Sequence, residues 1–96
     1  MLARDTIDIE LTPAERSLLL RYGYPFARIE QALKACSASK TIETVPMDRF
    51  ELERLIGDLS RSINNLNGGK LQDQLLALCE RLEVAEQHGD GTLDKL

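Results

Sequence analysis

The chain has 96 residues and a formal net charge of −4, from 12 Lys and Arg against 16 Asp and Glu. This length is typical of one domain, and about 60–70% of the unfolded chain's surface can be buried at this size, which is enough for one core. The acidic balance disfavours general binding to nucleic-acid phosphates, and the apolar runs Leu18–Leu20 and Leu75–Cys79 are far shorter than the roughly 20 residues that span a membrane.

The chain begins with a strand pattern that leads into a helix start. Residues 6–11 alternate apolar and polar side chains, which is typical of a half-buried strand. Thr12 and Glu15 have the spacing of a capping box, and Pro13 suits the first helical position. We expect this first helix to end at Gly23 in the left-handed conformation.

A second helix is predicted over residues 25–37, because Pro25 prevents continuation of the first helix and suits the start of a new one. Its apolar residues recur at helical spacing on one face: Phe26, Ile29, Leu33 and Cys36. The β-branched stretch Thr41–Val45 then predicts a second short strand, which we expect Pro46 to end.

The second half of the chain carries two longer amphipathic patterns. Helix three is indicated by an apolar stripe: Leu52, Leu55, Ile56, Leu59, Ile63 and Leu66. Asn67–Gly69 is a strong turn signal, and helix four is predicted from about Lys70 to a terminator at Gly89. Because the connection is short, we expect helices three and four to form an antiparallel hairpin.

These elements predict a mainly α fold, a small four-helix bundle made of two helical hairpins. The two short β-strands would pair at one end of it. Residues 1–89 would form this single domain, and residues 90–96, which have no periodicity, would form a disordered tail. The pattern leaves open whether the strands pair within one chain or across two chains.

The sequence contains no convincing catalytic, cofactor or metal-binding pattern. The single histidine, His88, has no evident partner for general-base work. Cys36 and Cys79 lie on apolar stripes, so we expect buried thiols, with an intrachain disulfide as the alternative. With His88 they lack the paired spacing of a zinc site. Gly68–Lys70 lacks the upstream glycine and the following Ser or Thr of a phosphate-binding loop. We therefore expect no enzyme, cofactor or metal.

Three of the four aromatic residues fall within one short stretch between the first two helices. We call this stretch the aromatic corner; its candidate binding residues are Arg21, Tyr22, Tyr24, Phe26 and Arg28. Tyr and Arg are enriched at the energetic centres of protein interfaces, because they supply large amphipathic contacts. Phe26 begins an apolar stripe and is expected in the core, whereas Tyr24 lies on the turn itself and could be exposed.

The first hypothesis for function is therefore a cytoplasmic, non-enzymatic protein–protein interaction module. Two cysteines are too few for a disulfide framework, and acidic residues interrupt the N-terminal stretch where a secretory signal would be apolar. Leu18, Leu20 and Leu76 widen the apolar faces of helices one and four. A second copy of the chain could cover such faces, so we expect a homodimer.

The alternative hypothesis is a helix-turn-helix DNA-binding regulator formed by residues 14–34. Gly23 would be the turn glycine, and the second helix would present Arg28, Gln31 and Lys34 to the major groove. A proline and two tyrosines in the turn, a glutamate on the reading face and the net negative charge count against it. Nucleic acid is therefore the less favoured partner.

Overall fold

The computed structural model describes residues 6–91, which form six elements. In chain order these are β1 (Thr6–Leu11), α1 (Pro13–Tyr22), α2 (Ala27–Ala35), β2 (Glu43–Asp48), α3 (Arg49–Asn64) and α4 (Lys70–His88). Helices account for 63% of the described residues, so the fold is mainly α, as predicted. No helix among these residues is both long and apolar enough to cross a membrane.

The predicted four-helix bundle of two helical hairpins is wrong. α3 and α4 pack together antiparallel, with Arg49 beside Glu86 at one end and Gln72 bound to the Ile63 carbonyl at the other. The first two helices do not form an equivalent hairpin, because α1 makes more contacts with α3 than with α2, and α2 also packs on β2. The short α1–α2 connection therefore did not determine which elements pack together.

The two strands pair within the chain and form part of the core. β1 and β2 are antiparallel, with Ile7 opposite Met47 and Ile9 opposite Val45. These four side chains and that of Leu11 are buried, because period-two alternation places them all on one face of the sheet. The helices cover this face, so the sheet is not an appendage at one end of a bundle.

One continuous core joins the sheet and all four helices. Its buried helical residues are Leu19, Ile29, Leu33, Leu52, Leu55, Leu59, Ile63, Leu75, Leu78, Cys79, Leu82 and Ala85. Leu18 and Leu20 are half-buried and pack against this core. The wide apolar face of α1 is therefore largely covered within the chain, without a second subunit.

The capping signal at Thr12 identifies the start of α1 correctly. Thr12 and Glu15 form the predicted capping box at the start of α1. An equivalent box, which was not predicted, joins Asp48 and Glu51 at the start of α3. Each box satisfies two backbone N–H groups that the helix itself leaves without acceptors. At the other end of the chain, Gly89 ends α4 in the left-handed conformation, with φ of 69°.

Pro46 does not end the second strand but lies inside it. It pairs with Asp8 in the register of the sheet, and its carbonyl accepts a hydrogen bond from Arg28 Nη2 at 3.2 Å. β2 is an edge strand among the described residues, so the missing N–H of proline falls on the side without a neighbouring strand. Pro46 and Arg28 together protect this edge against pairing with another chain.

Arg16 is a buried cation that joins three segments of the chain. Its side chain is on α1, the residue is 2% exposed, and its guanidinium donates to the carbonyls of Leu11, Thr41 and Ser39 at 3.1, 2.9 and 2.9 Å. Arginine suits this position because its rigid fork carries several donors in fixed directions. Arg16 therefore fixes the approach to β2 against the start of α1.

Arg81 has a comparable role at the other edge of the sheet. It forms a two-pronged ion pair with Glu15 and also donates to the carbonyls of Glu10 and Gly91. Gly91, at the end of the described chain, bridges to Ile9 of β1. Residues 92–96 of the predicted tail lie outside the described residues.

The prediction that Gly23 is left-handed is also wrong. Its φ of −88° and ψ of 176° are extended values that any residue adopts. Gly23 is instead required by close packing, because a Cβ there would lie 2.9 Å from the Leu19 carbonyl oxygen and 2.9 Å from Leu55 Cδ2. The joint between α1 and α2 thus has no room for a side chain.

We expect Gly23→Ala to lower the free energy of unfolding by about 1–2 kcal/mol, because overpacking against a backbone atom cannot be relieved by a side-chain rotation. Urea unfolding followed by circular dichroism measures this change. Gly57→Ala is the matched control, since a Cβ at Gly57 meets no neighbouring heavy atom within 4 Å and the helix gains about 1 kcal/mol from alanine. Equal effects of the two substitutions would contradict the packing role of Gly23.

Candidate functional site

The structure separates the residues of the aromatic corner. Tyr22 ends α1, is half-buried and packs against the core, and its carbonyl accepts a hydrogen bond from Ser62 Oγ at 3.0 Å. Tyr24 is 70% exposed, and Arg21 is also exposed. Phe26 is half-buried at the N-cap of α2. Tyr22 is therefore mainly structural, and Tyr24 is the exposed tyrosine.

Phe50 joins this surface, although the sequence analysis did not select it. Its ring stacks on that of Phe26, with centroids 5.7 Å apart and planes at 28°, yet Phe50 is 67% exposed. Arg54 covers Phe26 as well, with its guanidinium carbon 5.3 Å from the ring centroid. One signal could have identified Phe50: it is a large aromatic residue on the polar face of an amphipathic helix.

A groove of about 340 Å³ lies beside the two stacked rings. Its lining consists of Phe26, Arg28, Asp48, Phe50 and Glu51. The carboxylate of Glu51 is nearly buried, pairs with Arg28 and accepts the N–H of Asp48. Because these groups bind one another, the polar part of the lining is fixed before any ligand arrives, and the two phenylalanines supply the apolar part.

Asp58 on α3 holds the exposed turn in place. Its side chain is 1% exposed and accepts the backbone N–H of Tyr24 at 3.2 Å. The same carboxylate pairs with Arg61 and, at 3.9 Å, with Arg54. One buried acid on α3 therefore positions both the backbone of Tyr24 and the arginines beside it.

Four residues of α3 form a continuous surface that faces away from the core. Phe50, Arg54, Gly57 and Arg61 are separated by four, three and four positions, which places them on one side of the helix. Arg54 and Arg61 are exposed, and Gly57 is half-buried. We call these four residues the outer face of α3. Together with Tyr24 and Phe26 they form the candidate binding surface.

The predicted DNA-reading helix, α2, carries few unengaged cations. Arg28 is bound to Glu51 and to the carbonyl of Pro46, and Lys34 pairs with Glu30 at 3.1 Å. Gln31 is exposed. In addition, α1 packs more on α3 than on α2. These contacts offer little support for the helix-turn-helix hypothesis.

The hydrogen bonds of the two cysteines go to Ala32, Leu33, Ile56 and Ser60, none of which belongs to this surface. Cys79 is buried against α3, whereas Cys36 is half-buried; both are free thiols. Burial raises the pKa of the Cys79 thiol, and the carboxylates of Glu83 and Glu80 act in the same direction, opposed by a hydrogen bond with Ser60. A raised pKa disfavours the thiolate, which is the nucleophilic form.

α4 presents a second, smaller apolar surface. Leu76 and Val84 are exposed on this helix. A groove of about 260 Å³ between α3 and α4 is lined by Ser60, Ile63, Asn64, Leu76, Cys79, Glu80 and Glu83. The predicted excess of apolar surface is thus present on α4, whereas that of α1 is packed against the core.

Comparison of the chain with protein-family models, curated proteins and solved structures gave no match.

Proposed function

We propose that this protein is a non-enzymatic protein–protein interaction module, with a binding surface formed by Tyr24, Phe26 and the outer face of α3. The observation that carries the proposal is the stack of Phe26 and Phe50, because a fold with four aromatic residues leaves two of them, Tyr24 and Phe50, largely exposed. Large aromatic residues and arginine are the types enriched at interface hot spots.

The energetics of the surface also support binding. Burying a phenylalanine side chain contributes about 1.5–3 kcal/mol, so Phe50 alone could supply a substantial part of a binding energy. Its ring is already ordered by Phe26, and the neighbouring turn is tied to Asp58. A surface that is fixed in advance loses little conformational entropy when a partner binds.

Two features favour a protein partner in the cytoplasm. Among the residues that line the groove beside Phe50, the one cation, Arg28, is already paired with Glu51, which disfavours a nucleic-acid backbone there. Cys36 and Cys79 are free thiols, as is usual for proteins of a reducing compartment.

We expect Phe50→Ala to weaken binding of the native partner about tenfold or more, since truncating a central aromatic anchor typically costs about 2 kcal/mol. Stability should change by less than about 1 kcal/mol, because only the stack with Phe26 is lost. Loss of binding is measured by affinity purification of the tagged protein from its native cells, with one half of the lysate treated with nuclease. The change in stability is measured by thermal unfolding.

Ile42→Ala is the matched control, because Ile42 is an exposed apolar residue outside the binding surface. Tyr24→Ala should act like Phe50→Ala, with loss of partner and an unchanged Tm. Undiminished partner recovery by both Phe50→Ala and Tyr24→Ala would contradict the proposal, as would unfolding caused by Tyr24→Ala. Recovery that disappears after nuclease treatment would favour the DNA-binding alternative instead.

A further inference from the structure

Gly57 is an unusual residue for the middle of a stable helix. Glycine is disfavoured there relative to alanine, because it loses more conformational freedom. The fold itself does not require this glycine, since a Cβ would meet no neighbouring heavy atom within 4 Å. Its absent side chain leaves a shallow gap in the outer face of α3, between Phe50 and Arg61. Glycine at such a position allows the backbone of another molecule to approach closely.

The cations beside this gap are only partly neutralised. Arg61 and Arg54 have side chains 72% and 52% exposed, and both pair with the single carboxylate of Asp58, which is 1% exposed. Two guanidinium groups that share one buried carboxylate carry one more positive charge than that carboxylate neutralises. This excess positive charge at Arg54 and Arg61 is opposite in sign to the chain's net charge of −4. Guanidinium groups bind carboxylates in a two-pronged geometry.

We infer that the partner is an acidic protein segment that crosses α3 at Gly57. Its carboxylates pair with Arg54 and Arg61, and an apolar side chain lies against Phe50. The inference rests on the proposed function and adds the chemistry of the partner. The outer face of α3 carries only two cations, Arg54 and Arg61, so a peptide with spaced carboxylates fits better than a continuous phosphate backbone.

Selection of phage-displayed random peptides against the full chain tests this inference. We expect enrichment of peptides that combine Asp or Glu with an aromatic or aliphatic residue. A synthetic copy of the most enriched peptide, labelled for fluorescence anisotropy, then serves as the probe. Its affinity should fall steeply with added salt, because exposed ion pairs are screened.

Substitutions at the gap and at the cations give the decisive measurements. Gly57→Leu should weaken the probe about tenfold or more while the Tm stays the same or rises, because leucine is a better helix former than glycine. Ala77→Leu, which adds the same side chain to the exposed face of α4, should leave the affinity unchanged. Arg61→Gln should weaken binding by a similar factor, and Lys34→Gln on α2 should not.

The outcomes separate this inference from the proposed function. Enriched peptides that are neutral or basic, yet lose affinity on Phe50→Ala, would overturn the acidic partner and leave the interaction module intact. Binding of a poly(dT) oligonucleotide that Arg61→Gln weakens would overturn the choice of a protein segment. Peptides whose affinity does not change on Phe50→Ala would overturn both the acidic partner and the interaction module. A selection that enriches no peptides would do the same.

Discussion

Arg16→Ala should lower the free energy of unfolding by about 3 kcal/mol, since it removes three hydrogen bonds from a buried charged donor and takes this partner from the buried carbonyl oxygen of Leu11. For a domain of this size the Tm should then fall by about 12–24 °C. The loss is large because the guanidinium joins β1 to the segment that leads into β2, so the pairing of the two strands depends on it.

Calorimetry and urea unfolding measure this loss, and Arg16→Lys is the informative control. Lysine keeps the charge but has one ammonium group in place of a fork, so it cannot reach the carbonyls of Leu11, Thr41 and Ser39 together. We expect Arg16→Lys to lose about half as much stability as Arg16→Ala. Wild-type stability in the lysine variant would show that charge alone matters and would contradict the role of the fork.

The sequence did not reveal this role, because Arg16 lies in a polar first turn that looks like an exposed helix start. Its acceptors come partly from Ser39 and Thr41, which are more than twenty positions away in the chain. A buried charge becomes favourable only when the tertiary fold brings such acceptors together. No periodicity or local motif in the sequence indicates that Arg16 and these carbonyl groups lie close together.

Two local signals in the sequence were reliable, whereas the left-handed stop expected at Gly23 was not. The capping box at Thr12 and the terminator at Gly89 depend on neighbouring backbone groups, and both are present. The arrangement of the helices was wrong because it depends on the sheet. β1 and β2 pair across the whole α1–α2 segment, and their buried face then becomes the surface on which the helices pack.

The same distinction applies to the binding surface. Tyr24 and Phe26 could be selected because they are adjacent in a chain poor in aromatic residues, but Phe50 could not be linked to them. The stack of Phe26 and Phe50 joins the N-cap of α2 to the first turn of α3, twenty-four positions later. Arg54 and Gly57 could not be linked to binding from the sequence either, because only the structure shows that α3 places them on the same side as Phe50.

The core and the candidate surface are coupled through α3. One side of this helix buries Leu52, Leu55 and Leu59, and the opposite side presents Phe50 and Arg61. Asp58 lies at the boundary, because its backbone belongs to the packed helix and its carboxylate holds the turn of the aromatic corner. A substitution at Asp58 should therefore affect both stability and binding.

We expect Asp58→Ala to lower the free energy of unfolding by about 2.5 kcal/mol and to weaken partner binding as well. The ion pairs contribute the smaller share, because Arg54 and Arg61 are more than half exposed and such pairs are typically worth less than about 1 kcal/mol. The larger share comes from the N–H of Tyr24, which loses a charged and buried acceptor.

Asp58→Asn separates these two shares. The amide oxygen can still accept the N–H of Tyr24, whereas the charge that attracts both arginines is gone. The loss of stability should then be about 1 kcal/mol, and hydrogen exchange at the Tyr24 amide should remain slow, unlike in Asp58→Ala. If the asparagine and alanine variants are equally unstable and exchange equally fast, the charge and not the hydrogen bond holds the turn, and the binding surface depends on Arg61 for its structure.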